Sequence, residues 1–177
     1  MQDSEPTQSR PRFSWWLLAA LGCAALAGPL VLVLDSVFHV FSSAESAKIR
    51  TLCQSNLRAL AHAQLAYAAD YDDRLCLTEH WMDSTSRYLS SAARQPSVWH
   101  CPSVAADAGG YAMSRSLAGR IVSQIDNPRE EVLLFETAVT GRNISGGNEI
   151  ELDAARINHA DRICIATVNG KAWFKRP

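Results

Sequence analysis

Residues 15–34 read WWLLAALGCAALAGPLVLVL, twenty consecutive residues without a charged side chain. A helix rises 1.5 Å per residue, so this run spans roughly the 30 Å hydrocarbon core of a bilayer. Trp15 and Trp16 stand at one end, where amphipathic rings favour the headgroup region. Asp35 interrupts the run, and apolar residues then continue to Phe41. The pattern predicts a single transmembrane anchor over residues 15–41.

Two other interpretations of this segment remain open. Residues 25–27 form an A-x-A tripeptide, which is typical of the cleavage site of a signal peptide. However, the apolar run continues past this tripeptide to Leu34 and is longer than a signal peptide needs, which favours an uncleaved anchor. A buried core helix is the third interpretation.

The charges that flank the anchor predict its orientation. Arg10 and Arg12 precede the run, and the nearest cations after it are Lys48 and Arg50. Positive residues favour the cytoplasmic side. We therefore expect a cytoplasmic tail at residues 1–14 and an extracytoplasmic head at residues 42–177. The chain would then be a single-pass protein of the inner (cytoplasmic) membrane, with a periplasmic or extracellular head.

The overall composition excludes some partners. Seventeen basic and eighteen acidic residues give a net charge of −1 over 177 residues, whereas nucleic-acid-binding proteins usually carry a basic surplus. The hydrophobic fraction of 47% argues against a largely disordered chain. We expect no nucleic acid as a partner, and no small-molecule substrate is predicted; the anchor itself predicts contact with membrane lipid.

A long amphipathic helix is predicted over residues 43–70. Apolar residues recur there at helical spacing and form one stripe, extended by Gln64 or Leu65: Ile49, Cys53, Leu57, Leu60 and Ala68. Such a stripe is typical of a helix that packs on a globular core. The apolar anchor and this helix are predicted to be continuous, with only a soft break near residues 35–43.

Strand signals concentrate in the last third of the chain. Residues 131–139 (EVLLFETAV) predict a strand, and residues 97–101 a short strand or extended piece. Residues 162–168 alternate between two faces, and Asn169-Gly170 then predicts a type I′ hairpin turn with positive φ at both residues. Residues 141–148 are expected to form a loop. The predicted fold class is therefore α+β, a long helix packed on a small antiparallel sheet.

No catalytic motif was found. The chain has no G-x-S-x-G, P-loop, G-x-G-x-x-G or H-E-x-x-H sequence, and its five histidines lack the spacing of metal ligands. We therefore expect no enzymatic activity, no cofactor and no metal site. Of the five cysteines, Cys23 lies in the predicted anchor, and the other four could form disulfides in an exported head or remain as buried thiols.

Several segments together resemble the pilin-like membrane proteins with a C-terminal H-X9-DG signature, bacterial relatives of the type II secretion pseudopilins. The resemblance covers about residues 44–174. It rests on the order and spacing of the following segments: CQSNLR at 53–58, Tyr67, DYD at 70–72, WMD at 81–83, CP at 101–102, YAMS at 111–114, VLLFE at 132–136, and His159 followed by Asn169-Gly170. In the closing signature, asparagine replaces the usual aspartate.

The resemblance implies a fold, a disulfide and a role. The fold would be pilin-like, the disulfide would join Cys53 and Cys101, and the signature residues would be His159, Asn169 and Gly170. The role would be that of a non-enzymatic structural component of a secretion or pilus-type assembly, which acts through protein–protein contacts with other pilin-like subunits. Heads of related pseudopilins bind calcium, and the donors here would be Asn143, Ser145, Asn148, Glu149 and Asp153. The acidic run Asp70, Asp72 and Asp73 is a second place for calcium, although a solvated turn is the simpler interpretation of both.

The N-terminal region departs from the family pattern. Family members carry a glycine before the first phenylalanine of the leader and a glutamate within the apolar helix. Here Arg12 precedes Phe13, and residues 15–34 contain no glutamate. That glutamate helps to position a subunit in its fibre, so a second role remains open: a tethered extracytoplasmic binding module that does not polymerise.

Overall fold

The structure, a computed structural model, describes residues 15–103, 110–139, 141–147 and 162–176, with side chains from residue 31 onward. Its contacts divide the chain into two units, residues 1–45 and 46–177. The predicted cytoplasmic tail and His159 lie outside the described residues.

Helix α1 comprises Trp15–Asp70. In the second unit it presents the predicted apolar stripe, with these residues buried: Cys53, Leu57, Leu60, Ala61, Ala63, Gln64 and Ala68. Ile49 is only partly buried. The amphipathic helix is thus confirmed, and Gln64 rather than Leu65 completes its stripe.

Residues 31–41 of α1 belong to the first unit and are exposed. Among them Phe38 and Phe41 each expose 72% of their surface. Within the residues that have described side chains, no helix is both long and apolar enough to cross a membrane. The predicted anchor at 15–41 lies largely outside those residues.

Helix α1 ends just before two residues with positive φ. Asp72 and Asp73 have φ values of 53° and 59°, which a helix cannot continue through. The Asp73 N–H donates to the Ala68 carbonyl at 2.9 Å and so satisfies one of the carbonyls left open at the helix end. The turn predicted after residue 70 is present.

A five-stranded sheet has the order β3-β1-β2-β4-β5. Its strands are β1 Gly110–Ser114, β2 Val132–Thr137, β3 Ser145–Gly146, β4 Ile163–Thr167 and β5 Ala172–Lys175. The strand predicted at residues 131–139 and the hairpin around Asn169-Gly170 are both confirmed, as β2 and as β4–β5.

The sheet is mixed, so the prediction of a purely antiparallel sheet is wrong. Strand β3 pairs parallel to β1, whereas the other pairs are antiparallel. Since β2 runs antiparallel to β1, the chain leaves β2 at the end where β1 begins. It then passes along the free edge of β1 in the direction of β1, with Ile144 accepting a hydrogen bond from the Met113 N–H at 2.9 Å. Residues 141–148, predicted as a loop, therefore contribute a short edge strand.

Both faces of the sheet are buried. On β4, Cys164 and Ala166 join the larger core that contains the α1 stripe, whereas Ile163 and Ile165 join a smaller cluster with Phe135. This is the alternation that the sequence predicts, because successive side chains of a strand point to opposite faces.

Short helices connect α1 to the sheet. Helix α2 is Trp81–Thr85, and 3₁₀ turns follow at Ser86–Tyr88 and Pro96–Trp99. The last of these replaces the extended piece predicted at residues 97–101. Trp81 is fully buried, and its indole N–H donates to the Ile144 carbonyl at 2.9 Å, which fixes these turns against the edge strand β3.

Candidate functional site

The signature residues Asn169 and Gly170 form the turn between β4 and β5. The Gly170 N–H donates to the Thr167 carbonyl at 2.9 Å, and the Thr167 N–H donates to the Lys171 carbonyl at 2.9 Å. Gly170 has a φ of 78°, and among the described non-glycine residues positive φ occurs at Asp72, Asp73 and Asn143. The turn is thus a three-residue connection with its left-handed residue at Gly170, and the predicted type I′ geometry is wrong.

The Asn169 side chain holds this turn together. Its Oδ1 accepts from the Thr167 hydroxyl at 2.7 Å and from the Lys171 N–H at 3.1 Å. An aspartate carboxylate would offer an acceptor at the same place. Asparagine and aspartate can therefore both make these two hydrogen bonds at position 169.

Gly170 also lies against helix α1. A Cβ atom built on Gly170 would be 2.8 Å from Cε1 of His62, closer than side-chain contacts allow. Close by, the Gln54 side chain donates to the Ala172 carbonyl at 2.6 Å. These contacts dock the end of the hairpin on α1, so the signature glycine has a packing role as well as a conformational one.

A disulfide joins Cys53 of α1 to Cys101, with a Cα–Cα distance of 5.5 Å. This is the pair that the resemblance implies. Cys76 and Cys164 are the free cysteines among the described residues, and both are buried.

A fully buried glutamate, Glu136 on β2, lies beside the disulfide. Its Oε2 accepts from the Cys164 N–H at 2.8 Å, and its Oε1 lies 3.0 Å from the Cys101 sulfur. Sequence reasoning assigned Glu136 only to a core strand. The available signal was a charged residue within an otherwise apolar strand, since charged side chains are rarely buried without partners.

The groups around Glu136 are poor nucleophiles. Burial raises the pKa of the Cys164 thiol, and Glu136 raises it further. Burial likewise raises the pKa of Tyr111 well above its ordinary value, again with a contribution from Glu136. Because the thiolate and not the thiol is the reactive form, this arrangement does not activate Cys164.

Cys53, Cys101 and Glu136 are the one group of potential metal ligands found among the described residues, with ligand atoms within 4.8 Å of one another. Cysteine binds metals as the thiolate, and the disulfide consumes both sulfurs. As a disulfide, Cys53 and Cys101 instead join α1 to the segment that contains Cys101.

Three of the described oxygen donors considered for calcium take part in hydrogen bonds of the fold. The Ser123 side chain, and after it the Ser123 N–H at 2.8 Å, donates to Asp73 and lowers the pKa of that carboxyl group. Asp70 accepts from the Tyr88 hydroxyl at 2.8 Å. Asn143 uses its Oδ1 to accept from the Met82 N–H at 2.8 Å. Asn148, Glu149 and Asp153 lie outside the described residues.

A surface groove of about 540 Å³ is lined by three arginines, three apolar residues and two uncharged polar residues. We call it the arginine groove and define it by Arg87, Arg94, Arg142, Leu89, Pro96 and Trp99. Its arginines are not adjacent in the sequence, so no sequence motif predicts the groove. A neighbouring cavity of about 220 Å³ shares Pro96, Trp99 and Arg142 with the groove and extends it towards β1.

Each arginine of the groove is held by identifiable contacts. The Arg142 guanidinium donates to Asp83, with an Nε–Oδ1 distance of 2.8 Å, and lowers the pKa of that carboxyl group. Arg94 donates to the carbonyls of Arg87 and Leu89 at 3.1 and 3.2 Å. The Arg87 guanidinium lies over the rings of Tyr71 and Tyr88, 5.6 and 5.2 Å from their centres, and donates to the Tyr71 hydroxyl.

Comparison of the chain with protein-family models, curated proteins and solved structures gives no match. The resemblance to pilin-like proteins therefore rests on the quoted segments alone.

Proposed function

We propose that this chain is a membrane-anchored, pilin-like component of a secretion or pilus-type assembly that acts through protein–protein contacts. The observation that carries the proposal is helix α1 itself. Its residues 31–41 expose large apolar side chains, and its residues 53–68 supply the buried stripe of an α+β head. Apolar surface of this extent is unfavourable in water and calls for lipid or another helix to cover it.

An extracytoplasmic head is supported by the disulfide. Disulfides persist in oxidising compartments and are rare in the cytosol. The Cys53–Cys101 bond and the positive residues before the apolar run favour the same orientation, with the head outside the cytoplasm.

Fractionation of a C-terminally tagged, full-length chain tests the anchor. We expect it in the membrane fraction, resistant to carbonate extraction. The variant Leu32→Asp places a charge within the predicted anchor at a cost of up to about 3 kcal/mol, and should lower the membrane-bound fraction. The matched variant Ser43→Asp lies beyond the anchor and should not. A soluble product that begins near Gly28 would instead identify a cleaved signal peptide and contradict the proposal.

Chemical crosslinking in membranes tests the assembly. A ladder of multimers is expected for the wild type, and the double variant Phe38→Ala/Phe41→Ala should shorten it, because helix contacts in membranes rest on close packing. Ser43→Ala serves as the control on the same helix. Exclusively monomeric protein would contradict a fibre component.

A tethered binding module that does not polymerise is the second candidate. The arginine groove favours this second role, because a groove that combines apolar side chains with a few charged groups is typical of ligand sites. Monomeric protein in the crosslinking experiment, together with ligand binding at the groove, would support this role.

A further inference from the structure

We infer that the arginine groove binds a carboxylate-bearing sugar of an acidic polysaccharide. The class of ligand follows from charge. Arg87, Arg94 and Arg142 line the groove, and none of the described residues that line it is acidic. A guanidinium group matches a carboxylate in shape and can donate two parallel hydrogen bonds to it.

Two of the three charges have no acidic partner within the described part of the chain. The ion pairs recorded there are Asp83 with Arg142 and Asp35 with His39. Arg87 is instead held by two tyrosine rings, and Arg94 by backbone carbonyls. Both arginines are thus held in place without a direct ion pair, which reduces the entropy lost on binding. The Asp70 carboxylate lines a neighbouring surface pocket with Arg87 and is occupied by the Tyr88 hydroxyl.

The apolar part of the lining favours a sugar over a simple anion. Leu89, Pro96 and Trp99 line the groove together with the arginines, and Trp99 packs edge-on against Trp81 at a ring distance of 5.9 Å. Flat aromatic and aliphatic surface next to charged groups suits a ring that is apolar on one face and carries a carboxylate at its edge. A volume of about 540 Å³ lies within the usual range of small-ligand sites.

Two other anionic polymers fit less well. Nucleic acid is disfavoured by the net charge of −1, since phosphate binding draws on a basic surplus. A peptide that adds as a strand to a sheet edge is disfavoured, because the groove is formed by short helical turns and by the segment that contains Arg142. The choice of a polysaccharide also rests on the proposed extracytoplasmic location of the head.

Calorimetric titration of purified full-length protein in detergent with hexagalacturonate tests the inference. We expect binding that weakens several-fold between about 0.05 and 0.5 M salt, because added salt shortens the Debye length and screens charges near the surface. The methyl-esterified hexamer keeps the sugar rings, lacks the charges and should bind at least tenfold more weakly, on the order expected for a lost charged hydrogen bond.

Two variants connect the binding to the groove. Arg87→Gln should weaken binding about tenfold, and Gln95→Glu, which adds a negative charge at the groove without removing an arginine, should do the same. Arg129→Gln removes one exposed positive charge elsewhere and should leave affinity unchanged. If Arg87→Gln lowers the melting temperature, the Gln95→Glu variant still decides the question.

Several outcomes would overturn the inference. These are no binding of hexagalacturonate, equal binding of its methyl ester, or equal loss in Arg129→Gln and Arg87→Gln. Equal or tighter binding of hexaglutamate or of a DNA hexamer would assign the groove to peptides or nucleic acid instead. The titration uses purified protein, so its result is independent of whether the chain spans a membrane or forms fibres.

Discussion

Two parts of helix α1 have the same secondary structure but differ in how far their side chains are buried. In residues 31–45, which we call the front half, large apolar side chains are exposed, Phe38 at 72%. In residues 46–70, the rear half, side chains on one face are buried and those on the other are exposed, and Cys53 and Leu57 have no exposed surface.

The tertiary contacts of the two halves differ accordingly. In the front half, the Ser36 and Ser43 hydroxyls donate to carbonyls of the helix itself. In the rear half, Cys53, Gln54 and His62 contact Cys101, Ala172 and Gly170, all distant in sequence. The rear half therefore packs in the core of the second unit, whereas the front half exposes its large apolar side chains.

Removal of the disulfide should have the largest effect on the head. The Cys53→Ala/Cys101→Ala variant is expected to lose about 4 kcal/mol of unfolding free energy, the loop-closure value for a separation of 48 residues. Urea unfolding of the full-length chain, followed by tryptophan fluorescence, measures it. Cys164→Ala removes a buried cysteine outside any disulfide and should cost much less. A double variant as stable as Cys164→Ala would show that the rear half does not depend on this bond.

A pair of truncations compares the two halves directly. Leu57→Ala in the rear half should cost about 3 kcal/mol, because it leaves a cavity in the core. Phe38→Ala in the front half should change the stability of the head by less than about 0.5 kcal/mol, as exposed substitutions do. Urea unfolding compares both with wild type. If the two variants lost equal stability, the distinction between the halves would be wrong.

The signature glycine should show an intermediate effect. Gly170→Ala is expected to cost up to about 2 kcal/mol, mainly because alanine is strained at a φ of 78°, with a smaller part from the shift that its Cβ forces on the exposed His62 ring. Gly147→Ala is the matched control, since a Cβ there meets no atom within 4 Å. Adding His62→Ala to Gly170→Ala should recover part of the loss. No recovery would assign the whole cost to the backbone and remove His62 from the docking of the hairpin.

Substitutions of Asn169 test whether asparagine and aspartate are equivalent at this turn. Asn169→Ala removes the acceptor of two hydrogen bonds and should cost about 1 kcal/mol, whereas Asn169→Asp keeps an acceptor and should be nearly neutral. Thermal melting at neutral pH distinguishes them. An aspartate variant as unstable as the alanine variant would contradict the equivalence of the two side chains.

A pH dependence of similar size is expected where Cys76 packs against Gln64 of the rear half. The Cys76 thiol donates to the buried Gln64 at 2.9 Å, and burial raises its pKa from 9.0 to about 11. A raised pKa means that the thiol stabilises the fold fully below pH 9 and loses this contribution as the pH rises towards 11. The difference between wild type and Cys76→Ala should therefore shrink by about 1 kcal/mol from pH 8 to 10. A constant difference over this range would contradict the raised pKa.

Periodicity alone predicted much of this fold. The stripe of the rear half and the alternation of β4 depend on the fixed repeat of a helix or strand, so spacing indicates which residues share a face. The Asn169-Gly170 turn was located correctly for the same local reason, but its type was not. A three-residue turn needs positive φ at Gly170 alone, and the hydrogen bonds from Val168 and Asn169 to Glu131 and Pro128 engage the turn with a distant segment.

The sequence by itself determined the α+β class, the long helix and the position of the hairpin, because these follow from contacts between near neighbours in the chain. Only the tertiary structure decided the parallel pairing of β3, the burial of Glu136 beside the disulfide and the convergence of Arg87, Arg94 and Arg142. Each of these joins residues far apart in sequence. Local spacing in the sequence does not predict such contacts, since they depend on how the whole chain packs around one core.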